Sequence, residues 1–183
     1  QDAEQENMAL CCDFLARRLS MFTGAPLHQA PEQKRAELMA QHNLMWLNIF
    51  NSACAYCAAL LPRTKDIPTP FIGHTLREVS YLAPCRPMME MIENQVYLAQ
   101  GEAAQVIGRS EGLLGTCQAM GYALVALYVR IQTAAAYALL GRRAEAAAFL
   151  RQAVQDALPD GLVMPFAENY RYLEKIPAAL WLD

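Results

Sequence analysis

The chain has 183 residues and a formal net charge of −3; 55% of its residues are hydrophobic and only 18% are charged. This length suits one domain with a sizeable core, and the low charge content favours a compact helical protein with apolar surfaces for a partner. The lack of a long basic run disfavours direct binding of DNA or RNA. The longest apolar stretch, Tyr122–Leu140, is interrupted by Arg130 and Gln132, so no membrane-spanning helix is predicted.

The six cysteines do not predict a disulfide scaffold in a chain of this size. Cys54 and Cys57 form one CxxC pair, but without a second pair or closely spaced histidines it predicts no metal site. The sequence has no nucleophile motif and no histidine cluster, so we expect no enzymatic activity and no cofactor. Reduced cysteines and an acidic N-terminus unlike a signal peptide predict a cytoplasmic protein. Because the chain lacks an initiator Met, we expect it to be a piece of a longer protein.

The first third of the chain predicts two helices. Apolar residues recur at three-four spacing from Met8 to Phe22, which indicates an amphipathic helix. After a break rich in glycine and proline, a second helix is predicted over Pro31–Leu61, with apolar residues on all sides that imply burial. These N-terminal helices, residues 1–61, precede a proline-rich connector over residues 62–86, in which a short helix is expected at His74–Leu82.

Residues 87–183 predict two helical hairpins and a C-terminal capping helix. The expected ranges are Pro87–Gln100 and Glu102–Thr116 for the first hairpin, Gly121–Leu140 and Arg142–Ala157 for the second, and Pro165–Lys175 for the last helix. A left-handed Gly141 would close the first helix of the second hairpin. Strand-like alternation is not found, so the fold is predicted to be all-α.

The two hairpins align as an internal repeat. Tyr97 and Tyr137 lie forty residues apart, each four residues before a glycine, and Tyr56 precedes Tyr97 by forty-one. Helical repeats of this period indicate a solenoid of stacked pairs. The sequence therefore predicts a single domain over residues 1–183, a tetratricopeptide-like right-handed helical solenoid of about three hairpins plus terminal helices.

The second hairpin carries a family resemblance. A set of small, aromatic, glycine and proline positions resembles the tetratricopeptide signature: Ala134, Tyr137, Gly141, Ala146, Leu150, Ala153 and Pro159. The proline falls one residue late, and Arg130 stands where the signature has an earlier aromatic residue. Over Pro84–Leu182 the chain more closely resembles the superhelical sensor domain of MalT-like transcriptional regulators of the LuxR class. The shared motifs are Leu140-Gly141-Arg142, Glu145-Ala146, Pro159-Asp160-Gly161 and Pro165-Phe166-Ala167-Glu168-Asn169.

That resemblance implies a regulatory role. In the family, an ATPase module precedes the sensor solenoid and a DNA-binding helix-turn-helix follows it. Neither module is in this sequence, so no ATP hydrolysis and no direct nucleic acid contact are expected of these residues. The chain would bind an effector or a protein partner and transmit to the absent DNA-binding domain. The alternative is a free-standing tetratricopeptide-like scaffold for protein interactions.

Counting from the aligned tyrosines predicts a concave face on the first helix of each pair, suited to an apolar ligand or a partner helix. Its candidate groove residues are Leu47, Phe50, Cys54, Met88, Met91, Asn94, Gln95, Leu98, Tyr128, Arg130 and Ile131. Alternatively, a short solenoid closes this face as core. Glu168 and Asn169 are expected at exposed positions. The helix over Met8–Phe22 has no earlier hairpin to cover it, which predicts a homodimer or packing across the chain's own concave face.

Overall fold

The computed structural model describes residues 3–26, 30–61, 63–79 and 81–180, and within these ranges the chain is helical without any strand. The all-α class predicted from the sequence is confirmed for this part of the chain. The α-helices are α1 (Ala3–Thr23), α2 (Pro31–Ala40), α3 (Leu44–Leu60), α4 (Thr69–Ile72), α5 (Arg86–Gln100), α6 (Ala103–Met120), α7 (Ala123–Leu139), α8 (Arg143–Ala157) and α9 (Met164–Leu173). The chain divides into two compact units, residues 1–83 and 84–183. The single domain expected from the sequence stays a prediction.

In residues 1–83, helix α3 contacts both α1 and α2. The three helices share a small hydrophobic core in which the buried residues are Leu10 of α1, Leu38 of α2, and Phe50 and Cys54 of α3. Each of these apolar side chains stabilises the unit because it is removed from water.

The continuous helix predicted over Pro31–Leu61 is wrong, because the chain breaks between α2 and α3. His42 adopts a left-handed conformation (φ +54°), which ends α2. The side chain of Asn43 then accepts a hydrogen bond from the backbone N–H of Trp46 (3.3 Å) and caps the start of α3. Asparagine is favoured at such a position since its side chain satisfies a backbone donor that the helix leaves unpaired.

The short helix of the connector lies earlier than expected. It is α4, a single turn with Pro70 at its start, where proline has no hydrogen bond to lose. Over the expected range His74–Leu82, the described residues form only a 3₁₀ turn at Leu76–Glu78.

In residues 84–183, glycine closes both predicted hairpins. Gly101 (φ +81°) ends α5 and Gly141 (φ +73°) follows α7. In each turn the backbone N–H after the glycine donates to the carbonyl of the aligned tyrosine, at 2.8 Å for Tyr97 and 2.9 Å for Tyr137. This arrangement satisfies carbonyls at the helix end, and the left-handed Gly141 predicted from the sequence is confirmed.

Helix α7 is the centre of this unit, since it contacts α5, α6, α8 and α9. Where it meets α8, the fully buried alanines Ala134, Ala146 and Ala153 allow the two helices to approach closely. Leu150 fills the space beside them, and burying such a side chain contributes about 1.5–3 kcal/mol. The packing of α9 on α7 positions the candidate site.

Candidate functional site

Most of the groove residues predicted on α5 and α7 lie in the interior of residues 84–183. The buried ones are Met91, Asn94, Gln95, Leu98, Tyr128 and Ile131. Met88 is 41% exposed, and Arg130 is half-buried in an ion pair with Asp156 (Nη1 to Oδ2, 2.7 Å). Along these helices the face is therefore covered by protein, which matches the alternative in which it closes as core. Ligand binding by these residues stays a prediction.

The three groove residues predicted on α3 belong to residues 1–83. Phe50 and Cys54 are buried in the core of that unit, and Leu47 packs against the same cluster at its edge. Burial raises the pKa of the Cys54 thiol, although the nearby guanidinium groups of Arg17 and Arg35 oppose that rise.

Helices α5, α7 and α9 carry buried polar side chains, and hydrogen bonds join some of them between helices. We call this set the polar seam, and its members are Asn94, Gln95, Tyr128, Gln132, Glu168 and Asn169. Gln132 joins α7 to α5, because its Nε2 donates to Oε1 of Gln95 (2.9 Å) and to the carbonyl of Met91 (3.0 Å). Buried polar groups that are paired in this way fix the register between two helices.

Tyr128 joins α7 to α9. Its hydroxyl donates to Oε2 of Glu168 at 2.8 Å, and both side chains are buried. Asn169 is completely buried, and its Nδ2 donates to the carbonyl of Pro165 (3.0 Å). The exposed positions expected for Glu168 and Asn169 are therefore wrong. The physical reason is that α9 turns both of these polar side chains inward, where the Tyr128 hydroxyl provides a donor for the carboxyl group.

The polar seam is only partly satisfied. Both amide atoms of Asn94, Nε2 of Gln95, Oε1 of Gln132 and Oδ1 of Asn169 have no hydrogen-bond partner within the described part of the chain. An unpaired polar group in an interior costs about 1–3 kcal/mol. A rearranged packing, a water molecule or a ligand atom that reached these groups would recover part of that free energy.

The first hairpin also contains a charged cluster. Arg109 of α6 forms an ion pair with the buried Glu93 of α5 (Nη1 to Oε2, 2.5 Å) and lies over the ring of Tyr97, 5.3 Å from its centroid. Burial raises the pKa of the Tyr97 phenol, and the Glu93 carboxylate raises it further, while Arg109 opposes the shift.

Sequence reasoning missed the pairs that build this site. Gln132 was noticeable as a polar residue inside an apolar helix, and that signal could have placed it in the seam. The Tyr128–Glu168 pair gave no local signal, because its members are far apart in sequence on different helices.

Among the described residues, no group of three or more histidine, cysteine or acidic side chains could hold a metal ion, and no helix is long and apolar enough to cross a membrane. None of the six cysteines takes part in a disulfide there. No known family model, curated protein or solved structure matches this chain. The likeness to MalT-like regulators thus rests on the motifs quoted from the sequence and stays a prediction.

Proposed function

We propose that this chain is the regulatory sensor region of a LuxR-class transcriptional regulator that resembles MalT. It binds an effector or a protein partner and transmits to a DNA-binding domain outside this sequence, in the cytoplasm. The observation that carries the proposal is the hydrogen bond between Tyr128 and Glu168. Glu168 belongs to the motif Pro165-Phe166-Ala167-Glu168-Asn169, on which the resemblance to MalT-like regulators partly rests. The hydrogen bond attaches α9, the helix that contains this motif, to α7 of the second hairpin.

The proposal includes a tetratricopeptide-like solenoid, and the packing of residues 84–183 supports it. The first helices of successive pairs, α5 and α7, contact each other in addition to their hairpin partners, and α9 continues the series by contacting α7. The turns of the two hairpins also have the same hydrogen bond forty residues apart. Stacked repeats produce this combination of neighbour contacts and equal turns.

The mechanism uses α9 as the moving part. Among the unpaired amide atoms of the polar seam, Oδ1 of Asn169 lies on α9 itself, and an unpaired buried atom offsets part of the hydrogen bonding that holds this helix. An effector that binds more tightly when α9 is docked, or when it is released, shifts that equilibrium. A DNA-binding domain attached after α9 would then respond to the effector.

The full-length gene product provides the test. We expect a helix-turn-helix domain after Asp183, and its absence would contradict the regulator hypothesis. RNA sequencing in the native host compares three strains, which have the gene deleted, Tyr128→Phe or Tyr170→Phe. The two variants are compared at matched protein levels. Tyr128→Phe should change the expression of the genes that respond to the deletion. Tyr170→Phe should not, because Tyr170 lies on α9 but its side chain is exposed. Equal profiles for the two variants would refute transmission through α9.

Self-association is part of the proposal. One stripe of α1 exposes large apolar side chains at Met8, Leu15, Leu19 and Phe22. Such a surface on a soluble helix favours contact with a second copy, as in a homodimer. Light scattering of the chain should give the mass of a dimer, and Leu15→Glu with Leu19→Glu should reduce it to a monomer.

A further inference from the structure

Residues 1–83 contain a cleft that the proposed function does not use. It has a volume of about 970 Å³, in the range of small-molecule sites. Its walls come from the C-terminal half of α1, the start of α2, the second half of α3 and the segment Arg63–Pro70. Of the groove residues predicted from the sequence, only Cys54 lines it.

Basic side chains are concentrated around this cleft. Residues 1–83 have seven lysines and arginines, namely Arg17, Arg18, Lys34, Arg35, Arg63, Lys65 and Arg77. Four of them, Arg17, Arg35, Arg63 and Lys65, line the cleft together with the acidic Glu32 and Asp66. Because the whole chain has a net charge of −3, composition alone does not explain this local excess of positive charge.

Arg17 forms a fixed wall of the cleft. Only 4% of the residue is exposed, and its Nε donates to Oδ2 of Asp13 at 2.6 Å. Its guanidinium group also lies over the ring of Phe50, 5.0 Å from the centroid. Arg17 is therefore held in one orientation, and Asp13 offsets part of its charge.

Arg35 is oriented but not neutralised. Its Nε donates to Oδ1 of Asn51 at 2.9 Å, which fixes the plane of the guanidinium group and leaves its terminal NH₂ groups available. Within the described ranges, Arg35, Arg63 and Lys65 form no ion pair. A planar guanidinium with two adjacent N–H donors matches the oxygens of a phosphate or a carboxylate.

We propose that this cleft binds a small organic anion through its phosphate or carboxylate group, held by Arg35, Arg63 and Lys65. The apolar wall around Cys57 and Ile67 contacts the uncharged part of the molecule. Glu32 and Asp66 keep the net positive charge of the cleft small, so it suits a discrete anion rather than a nucleic acid. The site lies within residues 1–83 and is independent of the regulatory role proposed for residues 84–183.

Isothermal titration calorimetry of the 183-residue chain with pyrophosphate and with citrate tests the site. We expect saturable binding of at least one probe, and we expect added salt to weaken it. Arg35→Gln should weaken binding about tenfold or more, because the variant loses a hydrogen bond to a charged group. Tighter binding of pyrophosphate identifies a phosphate ligand, and tighter binding of citrate identifies a carboxylate ligand. Absence of saturable binding for both probes overturns the proposal.

Matched variants locate the binding. Arg63→Gln combined with Lys65→Gln changes two exposed side chains and should weaken binding without affecting folding. Lys34→Gln is the control, because Lys34 is next to Arg35 on α2 but pairs with Glu37 (3.3 Å) outside the cleft. Equal losses in Lys34→Gln and Arg35→Gln would mean that binding depends on overall charge, and would overturn the site.

Thiol labelling gives a second readout. Cys57 lines the cleft, whereas Cys11 and Cys12 are exposed on α1 outside it. With the neutral reagent N-ethylmaleimide and peptide mapping by mass spectrometry, the bound probe should slow labelling of Cys57 and leave Cys11 and Cys12 unchanged. Binding without this selective protection would locate the anion elsewhere and refute the proposal.

Discussion

The two hairpins of residues 84–183 have the same ends but different interiors. Both turns combine a left-handed glycine with a hydrogen bond to the carbonyl of the aligned tyrosine. An arginine guanidinium lies over each tyrosine ring, at 5.3 Å for Tyr97 and 4.7 Å for Tyr137. Local sequence is sufficient for the two glycine turns, since they depend on residues that are close along the chain. The arginines come from different places, because Arg109 lies within α6 whereas Arg142 follows the turn directly.

The interiors differ at aligned positions. Asn94 of α5 corresponds to Ala134 of α7, and both are completely buried. The amide of Asn94 has no partner among the described residues, whereas the Ala134 methyl group packs in the core against α8. At this aligned position the first hairpin therefore has the free-energy cost of an unpaired buried amide, and the second hairpin does not.

Moving the asparagine tests this difference most strongly. Ala134→Asn places an unpaired amide in a packed core, which costs about 1–3 kcal/mol of stability. The added side-chain volume costs a similar amount. We expect the free energy of unfolding to fall by about 3 kcal/mol or more, measured by urea denaturation.

The reverse variant, Asn94→Ala, is the control. It removes an unpaired amide and leaves a small cavity, so its stability should stay within about 1 kcal/mol of the wild type. If Asn94→Ala is as destabilising as Ala134→Asn, the amide has a partner such as a buried water, and the two interiors are equivalent in energy.

The parts of the fold that depend on neighbouring residues could be predicted from the sequence. The Gly141 turn, the helices on either side of it and the all-α class follow from spacing and from the backbone freedom of glycine. The break between α2 and α3 also has a local signal, because Asn43 can cap the start of a helix. The apolar residues on both sides of Asn43 nevertheless favoured the prediction of one continuous helix.

The candidate site depends on contacts that spacing does not encode. Tyr128 and Glu168 meet because α9 packs on α7, and nothing in the pattern of either helix specifies that pairing. In residues 1–83, Arg17 and Arg35 come from different helices to the same cleft. Such pairs are set by tertiary packing, so a single sequence without a structure gives no means to find them.

A second prediction concerns the shared turns. At Gly101 and Gly141 an added Cβ would have no atom within 4 Å, so the cost of a substitution comes from the left-handed backbone alone. We expect Gly101→Val and Gly141→Val each to lower the melting temperature and the free energy of unfolding, by about 2 kcal/mol, because a β-branched residue is strained there.

Two matched variants separate backbone strain from other effects. Gly141→Asn should cost less than about 1 kcal/mol, since asparagine tolerates the left-handed conformation. Gly108→Val changes a glycine inside α6 with open space around it and should not destabilise the protein. Unequal costs at Gly101 and Gly141 would show that the two turns are not equivalent after all.

The arginines over the two tyrosine rings should differ in how much they stabilise the protein. Arg109→Gln removes the ion pair between Arg109 and the buried Glu93. We expect the free energy of unfolding to fall by about 2 kcal/mol, less than for a fully buried pair because Arg109 is partly exposed. Arg142→Gln should leave stability close to that of the wild type, because its pair with Glu145 is exposed on both sides. Chemical denaturation of both variants measures the difference, and equal losses would contradict it.

The smallest expected effect is a change in the titration of Tyr97. Burial and then Glu93 raise its pKa in the folded protein, so the unfolded chain loses this proton first as pH rises. The stability linked to Tyr97 is thus fully present below the pKa of an unfolded tyrosine and is lost as pH rises through the folded pKa. Glu93→Gln should lower the pKa of Tyr97, and Arg109→Gln should raise it further.

Absorbance of the phenolate, with Tyr97→Phe to assign the transition, measures these shifts. Arg142→Gln is the control on the second hairpin and should leave the Tyr97 curve unchanged, because Arg142 lies over Tyr137 instead. A curve that does not move in Glu93→Gln would mean that the Glu93 carboxylate has no electrostatic effect on the Tyr97 ring, and would contradict that cause of the pKa shift.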